Sequence, residues 1–162
     1  MVPPKSLPRD CCVNPKTDHL ACFFYLLFAI WYYLSMFKDI IVKKSKISGK
    51  GVFANKDFKK GEIVMKWQTS KELSKREVEK LPLEEKHYIY PSGKNKYILM
   101  RAPERYANHS CEANTIPGDN CDIALRNIKR GEELTSNYTK YENKVGFRCN
   151  CGSKNCTKKI IS

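Results

Sequence analysis

The sequence predicts a mainly β protein. Three observations carry that expectation. Short apolar runs rich in β-branched residues, IIVKK, GVFA and EIVMKW, follow one another; Gly49, Gly51 and Gly61 separate them; and the stretch with a helix start signal is short and charged. With 162 residues the chain is long enough for one domain with a real core and short for two.

Taken in order, residues 1–19 form an irregular lead with Pro3, Pro4, Pro8 and Pro15. Leu20 to Phe37, LACFFYLLFAIWYYLSMF, then runs without a charge. As a helix it would reach about 27 Å, just under a hydrocarbon thickness of about 30 Å. Trp31, Tyr32 and Tyr33 near one end and Lys38, Lys43, Lys44 and Lys46 beyond it fit a membrane anchor whose C-terminal side faces the cytoplasm. A buried core helix fits the same residues, and so does a segment outside the mature protein with translation starting at Met36.

From residue 38 the three runs read as a twisted meander. LSKREVEKL offers Ser74 as N-cap with Glu77 three residues on, a capping-box spacing, before Pro82 stops the helix. Tyr88, Tyr90 and Tyr97 mark a hairpin around PSGKNK, while DIALRNI and KRGEELTSNY give two more strand-like pieces. No internal repeat is expected.

Thirty Lys and Arg against seventeen Asp and Glu leave a formal charge of +13, which favours acidic partners such as nucleic acid or anionic lipid. The basic residues are scattered, as solvated lysines on strand edges and turns would be.

Cys11, Cys12 and Cys22 stand apart from Cys111, Cys121, Cys149, Cys151 and Cys156. No small-residue cleavage site follows the apolar run, so a reducing compartment with thiolates free to take metal is expected. CNCGSKNC sets Cys149, Cys151 and Cys156 in a C-x-C-x4-C spacing. Three thiolates so close can wrap one side of a tetrahedral zinc ion, which wants a fourth ligand from elsewhere. Cys111 is the best candidate and Cys121 the reserve; unligated buried thiols or a disulfide remain open.

The motifs GKGVFA, RYANHSCEANT, RGEELTSNY and CNCGSKNC, in that order, resemble the SET-domain protein lysine methyltransferases, over about Phe37 to Lys158. The resemblance implies a SET domain over residues 38–141 and a post-SET zinc tail over residues 142–162, without the cysteine-rich region that precedes the domain in some members. It implies a fold of short twisted sheets in which the chain after the ELT strand makes a knot-like crossing with the Asn-His-Ser-Cys segment, Asn114 shaping the crossing and Arg105 supporting it.

The same resemblance implies S-adenosylmethionine as cofactor and one structural zinc ion. Asn108 and His109 would hold the adenosyl end, partly through backbone groups; Gly49, Lys50 and Gly51 would meet the methionine part; Arg105 is counted with the cofactor residues. Cys111, Cys149, Cys151 and Cys156 would hold the zinc. Phe147 would stack on the adenine or serve only in packing. Tyr138 is the expected catalytic residue. Ser136 departs from the Phe or Tyr common two residues before that tyrosine and leaves space, implying products beyond monomethyl-lysine unless Tyr141 or Tyr90 fills the gap. Asn137 replaces a common Asp.

The implied reaction is methyl transfer to the lysine amine of a protein, such as a histone or another basic DNA-associated protein. Free lysine titrates near 10.4, so an apolar channel must favour its neutral form. Glu104, Glu112, Asp119 and Asp122 are candidates to line the groove for a basic tail. The expected location is the cytoplasmic side, or the nucleus in a eukaryote, with the SET domain in the cytoplasm if residues 20–37 anchor the chain in a membrane. A catalytically silent, zinc-stabilised module that binds nucleic acid or chromatin-like protein is the competing reading, and a membrane-anchored adaptor a third.

Overall fold

β1 (Ile40–Lys44) and β2 (Lys50–Ala54) form an antiparallel hairpin. Its turn closes through a 2.9 Å bond from the Ser45 N–H to the Gly49 carbonyl, and Gly49 holds a φ of +45°, a left-handed conformation that costs least without a β-carbon. The computed structural model describes residue 27 and residues 38–68, 72–140 and 146–160. The chain divides into two units, Met1–Phe37 and Lys38–Ser162, and the fold below is that of the second. The apolar run 20–37, Met36, the three early cysteines and Tyr141 lie outside the described residues, apart from Leu27. Among the described residues no helix is long and apolar enough to cross a membrane.

The expected meander breaks after β2. β3 (Ile63–Lys66) does not return along it; β3 pairs with β9 (Cys121–Ala124), and β2 pairs with β10 (Glu133–Ser136). The physical reason is an internal repeat that the sequence reading did not find. Residues 54–62, ANKDFKKGE, and residues 124–132, ALRNIKRGE, are two copies of one turn, seventy residues apart.

Their bonds are reciprocal. Phe58 and Ile128 exchange N–H to carbonyl bonds at 2.8 and 2.9 Å. Gly61 N–H donates to the Ala124 carbonyl and Gly131 N–H to that of Ala54, each at 2.8 Å. Lys60 N–H donates to Asn127 Oδ1 at 3.0 Å and Arg130 N–H to Asp57 Oδ1 at 2.8 Å. Both glycines have positive φ, +87° and +91°, so each turn swings its second strand away from its first, toward the strand that enters the other turn. Phe58 and Ile128 are buried where the copies meet.

β8 (Thr115–Pro117) completes the sheet β3-β9-β8. A third sheet has the order β4-β6-β5, from Glu72–Ser74, Lys96–Leu99 and Ile89–Gly93. The β5–β6 hairpin is the one expected around PSGKNK, with Asn95 at φ 59° in its turn. Helix α1 (Lys75–Glu79) carries the capping box: the Ser74 N–H donates to Glu77 Oε2 at 2.8 Å, and the Glu77 N–H to Ser74 Oγ at 3.4 Å. α2 (Leu83–Lys86) follows Pro82.

A 3-10 turn, Glu104–Tyr106, leads into β7 (Asn108–His109), which pairs in parallel with β10. The sheet order is therefore β1-β2-β10-β7. β10 lies between β2 and β7, and its Leu134 is buried with Val52 of β2. Asn114 holds β10 as well: Nδ2 donates to the Glu133 carbonyl at 2.8 Å and Oδ1 accepts from the Thr135 N–H at 2.9 Å. β11 (Phe147–Arg148) and β12 (Lys159–Ile160) form an antiparallel pair around the cysteine-rich loop, with Ile160 buried.

Candidate functional site

The Sγ atoms of Cys111, Cys149, Cys151 and Cys156 all lie within 4.8 Å of one another, with Cys111 and Cys149 at 3.9 Å. These are free thiols, far from bonding distance of a disulfide. A zinc ion with Zn–S bonds of about 2.3 Å needs sulfurs about 3.8 Å apart at the corners of a tetrahedron, so four thiols at this spacing fit such an ion. Cys121 is buried in β9 and is not in the group. Burial pushes the Cys149 thiol up to about 12, aided by hydrogen bonds with neighbouring thiols. Burial also opposes ionisation of Cys151, but the Cys111 N–H and the Ser153 hydroxyl and N–H outweigh it and hold Cys151 down at about 5. The pull toward ionisation at Cys151 is in the direction a thiolate ligand of a dication needs.

Beside it lies a cavity of about 330 Å³ lined by Ile47, Ser48, Asn108, Tyr138, Phe147 and Asn150, with His109, Arg148 and Cys149 completing the wall. Four of the residues expected to hold cofactor or do chemistry, Asn108, His109, Tyr138 and Phe147, are thus brought together. The rings of Tyr138 and Phe147 stand 6.3 Å apart, nearly edge to face. The glycine turn meets the cavity through Ile47 and Ser48.

Several candidate side chains are held by other partners. Asn108 Nδ2 lies 3.2 Å from the Ser48 carbonyl, 3.0 Å from that of Lys50 and 2.8 Å from Glu133 Oε1. It ties the glycine turn to the ELT strand, so contact with a ligand there would fall to the backbone. A β-carbon on Gly51 would overlap the Glu133 carboxylate; the close approach that glycine permits is to the chain's own glutamate. Gly49 has open space around it. Lys50 places its ammonium over the Tyr106 ring at 5.2 Å. Arg105 binds Glu85 at 3.0 Å and stacks on Tyr88 at 3.8 Å, joining α2 to the segment before β7.

Tyr138 is fixed at both ends. Its hydroxyl donates to the Ala107 carbonyl, and its N–H donates to His109 Nδ1 at 3.1 Å. Burial, with the Asp122 charge second, pushes the phenol well above its ordinary value, so it stays protonated at neutral pH. Burial pushes the His109 imidazole down. Ser136 is buried, its Oγ 3.1 Å from Thr115 Oγ1. Tyr90 packs edge-on against Trp67 at 4.8 Å.

Of the four acidic residues expected along a groove, two turn inward. Asp122 is 4% exposed and accepts from the Trp67 indole at 2.8 Å; burial pushes its carboxyl up to about 6. Glu104 is 3% exposed, and Oε1 accepts from the Gln68 N–H at 2.8 Å. Asp122 lies on β9, between buried Cys121 and the strand's other core residue Ala124, and Glu104 opens the 3-10 turn with its side chain under the Gln68 main chain. Glu112 and Asp119 are exposed, Glu112 accepting from Asn155 at 2.6 Å. Sequence reasoning missed Glu133, Ala107 and the Trp67–Asp122 pair. Glu133 had a signal, standing between RGE and LT in a motif that was otherwise read.

The SET domain family model matches residues 49–139, and the chain belongs to the SET-domain family. It is 34% identical over 143 residues to a variant-silencing SET domain-containing protein of Plasmodium falciparum, covering 75% of this chain and 6% of that protein. It is 31% identical over 138 residues to human histone-lysine N-methyltransferase 2D, covering 74% of this chain and 2% of the relative. With the histone-lysine N-methyltransferase trithorax of Drosophila virilis it shares 34% over 145 residues, 75% of this chain and 4% of that one. The chain spans less than a tenth of the length of these relatives.

Proposed function

We propose that this chain transfers methyl groups from S-adenosylmethionine to the side-chain amine of lysine in a protein substrate. The observation that carries the reading is Tyr138, a half-buried, neutral phenol on the wall of a cavity flanked by Asn108, His109 and the four-cysteine group. S-adenosylmethionine, when bound, supplies a methyl group on a sulfonium. The cavity wall would hold it through the Ile47–Ser48 turn, the backbone of Asn108 and His109, and the Phe147 ring. Zinc would be held by Cys111, Cys149, Cys151 and Cys156, a closed set that suits a structural ion.

The Tyr138 hydroxyl proton is committed to Ala107, so its oxygen faces a substrate only with lone pairs. It can accept from an amine N–H and aim the nitrogen lone pair, while burial around it disfavours the ammonium form. Alignment would supply much of the rate.

The relatives whose names specify a substrate are histone-lysine methyltransferases, and a histone or another basic DNA-associated protein is the substrate class proposed. The proposed location follows that substrate, the nucleus of a eukaryotic cell or otherwise the cytoplasm. Titration calorimetry with S-adenosylmethionine, followed by labelled methylation of histone and of total lysate protein, tests the reading. Heat with labelled lysine supports it; no heat at millimolar cofactor moves the chain to the silent binding module.

Two expectations belong here. Recombinant protein should contain one zinc per chain by atomic emission. Stripping it with a chelator should raise hydrogen exchange in β11 and β12 and weaken cofactor binding, because the loop between these strands carries three of the four sulfurs. With serine at 136, wild-type product should advance to dimethyl-lysine or beyond; mass spectra showing monomethyl-lysine alone would count against an open channel.

A further inference from the structure

His109 makes contacts that cofactor binding does not require. The residue is 4% exposed. Nδ1 receives the Tyr138 N–H at 3.1 Å, so Nδ1 carries the lone pair and the ring proton sits on Nε2. Nε2 lies 3.4 Å from Cys111 Sγ, a donor facing a sulfur of the four-cysteine group. The root of the side chain is fixed as well, since His109 pairs with Ser136 in the parallel ladder and the Ser110 N–H donates to the Ser136 carbonyl at 3.1 Å. Tyr138 and Phe147 close on the ring at 5.4 and 5.8 Å between centroids.

Both anchors of Tyr138 therefore come from the stretch Ala107–His109, and one of them continues into the sulfur cluster. We propose that His109 is a positioning residue joining the two: Nε2–H holds the Cys111 sulfur, Nδ1 fixes the main chain of Tyr138, and metal occupancy of the cysteines thereby sets the placement of the phenol. The methyl-transfer consequence rests on the function proposed above; the coupling itself does not. Ring donors that orient a metal-bound group typically change metal affinity by about 10–100-fold when removed.

Two substitutions separate the halves. In His109→Asn the amide oxygen stands near the position of Nδ1 and can keep the Tyr138 N–H; in His109→Gln the amide nitrogen reaches the position of Nε2 and can keep the sulfur. The full chain is loaded with zinc, and two quantities are read: zinc release to a competing chelator, and hydrogen exchange at the Tyr138 amide. His109→Asn should release zinc about 10–100-fold more readily with the Tyr138 amide still protected. His109→Gln should keep zinc within about threefold while that amide exchanges at least about tenfold faster and kcat falls in step. In wild type, which needs no substitution to fold, zinc removal should speed Tyr138 exchange. An unchanged Tyr138 amide on zinc removal overturns the proposal, as does identical behaviour of the Asn and Gln variants on both readouts. If wild type shows no methyl transfer at all, these two readouts still decide the coupling.

Discussion

Tyr138→Phe is expected to lower kcat by about 10²–10³-fold, the usual cost of losing one positioned polar group at a reacting centre. The argument is one of geometry. The phenol donates to Ala107 and is held neutral by burial, so what the hydroxyl offers a substrate is an acceptor fixed in space. Without it the amine loses its orientation and the Ala107 carbonyl loses its partner, a stability cost of about 1–3 kcal/mol. The cavity wall at Ile47, Ser48, Asn108 and Phe147 is untouched, so cofactor Kd should change by less than about threefold. Single-turnover kinetics and calorimetry on the same preparation separate the two effects. A kcat within about fivefold of wild type, or a loss that lies in cofactor binding instead, would remove Tyr138 from the chemistry.

Much of the domain was legible because its signals are local. β-branched runs between glycines announced β1, β2 and β3, the strand-like pieces DIALRNI and KRGEELTSNY covered β9 and β10, and Ser74 with Glu77 announced a helix start that the structure shows bond for bond. The C-x-C-x4-C spacing, with Cys111 singled out as the fourth sulfur, identified a group that the fold brings within 4.8 Å. What escaped is non-local. Strand patterns say that a segment is extended and leave its neighbour open, so the exchange of β3 and β10 between the two turn units could not be read from alternation. The repeat behind it rests on few identities, among them Ala54 with Ala124, Lys59 with Lys129, Gly61 with Gly131 and Glu62 with Glu132, spread among residues that differ. β7 has two residues, too short for any periodicity. The internal partners of the Arg105 and Asn108 side chains, Glu85 and Glu133 among them, were not legible either, because motif membership does not say which other residue a side chain meets. Asp122 and Glu104 were placed at a surface because carboxylates belong there by default.

Asp122→Asn is expected to stabilise the folded chain by about 3 kcal/mol at pH 7.5 and hardly at all at pH 4. Asp122 titrates at about 6 in the folded chain against 3.8 when unperturbed, with burial the leading cause, the Trp67 indole opposing it and the Glu104 charge adding to it. Between those two values the folded chain holds a proton that the unfolded chain has released. Stability on this account is greatest below about pH 4, falls as pH rises toward 6, and stays reduced above that; a displacement of this size corresponds to about 3 kcal/mol. Glu104, also raised chiefly by burial, acts in the same direction, and its Oε2 has no hydrogen-bond partner among the described residues. Asparagine keeps an oxygen for the Trp67 N–H without the charge, so the gain should appear as a rise in Tm of about 10 °C at pH 7.5 that vanishes as pH is lowered. A difference between wild type and variant that is the same at pH 4 and pH 7.5 would show that packing around residue 122, not its ionisation, is what the substitution changes.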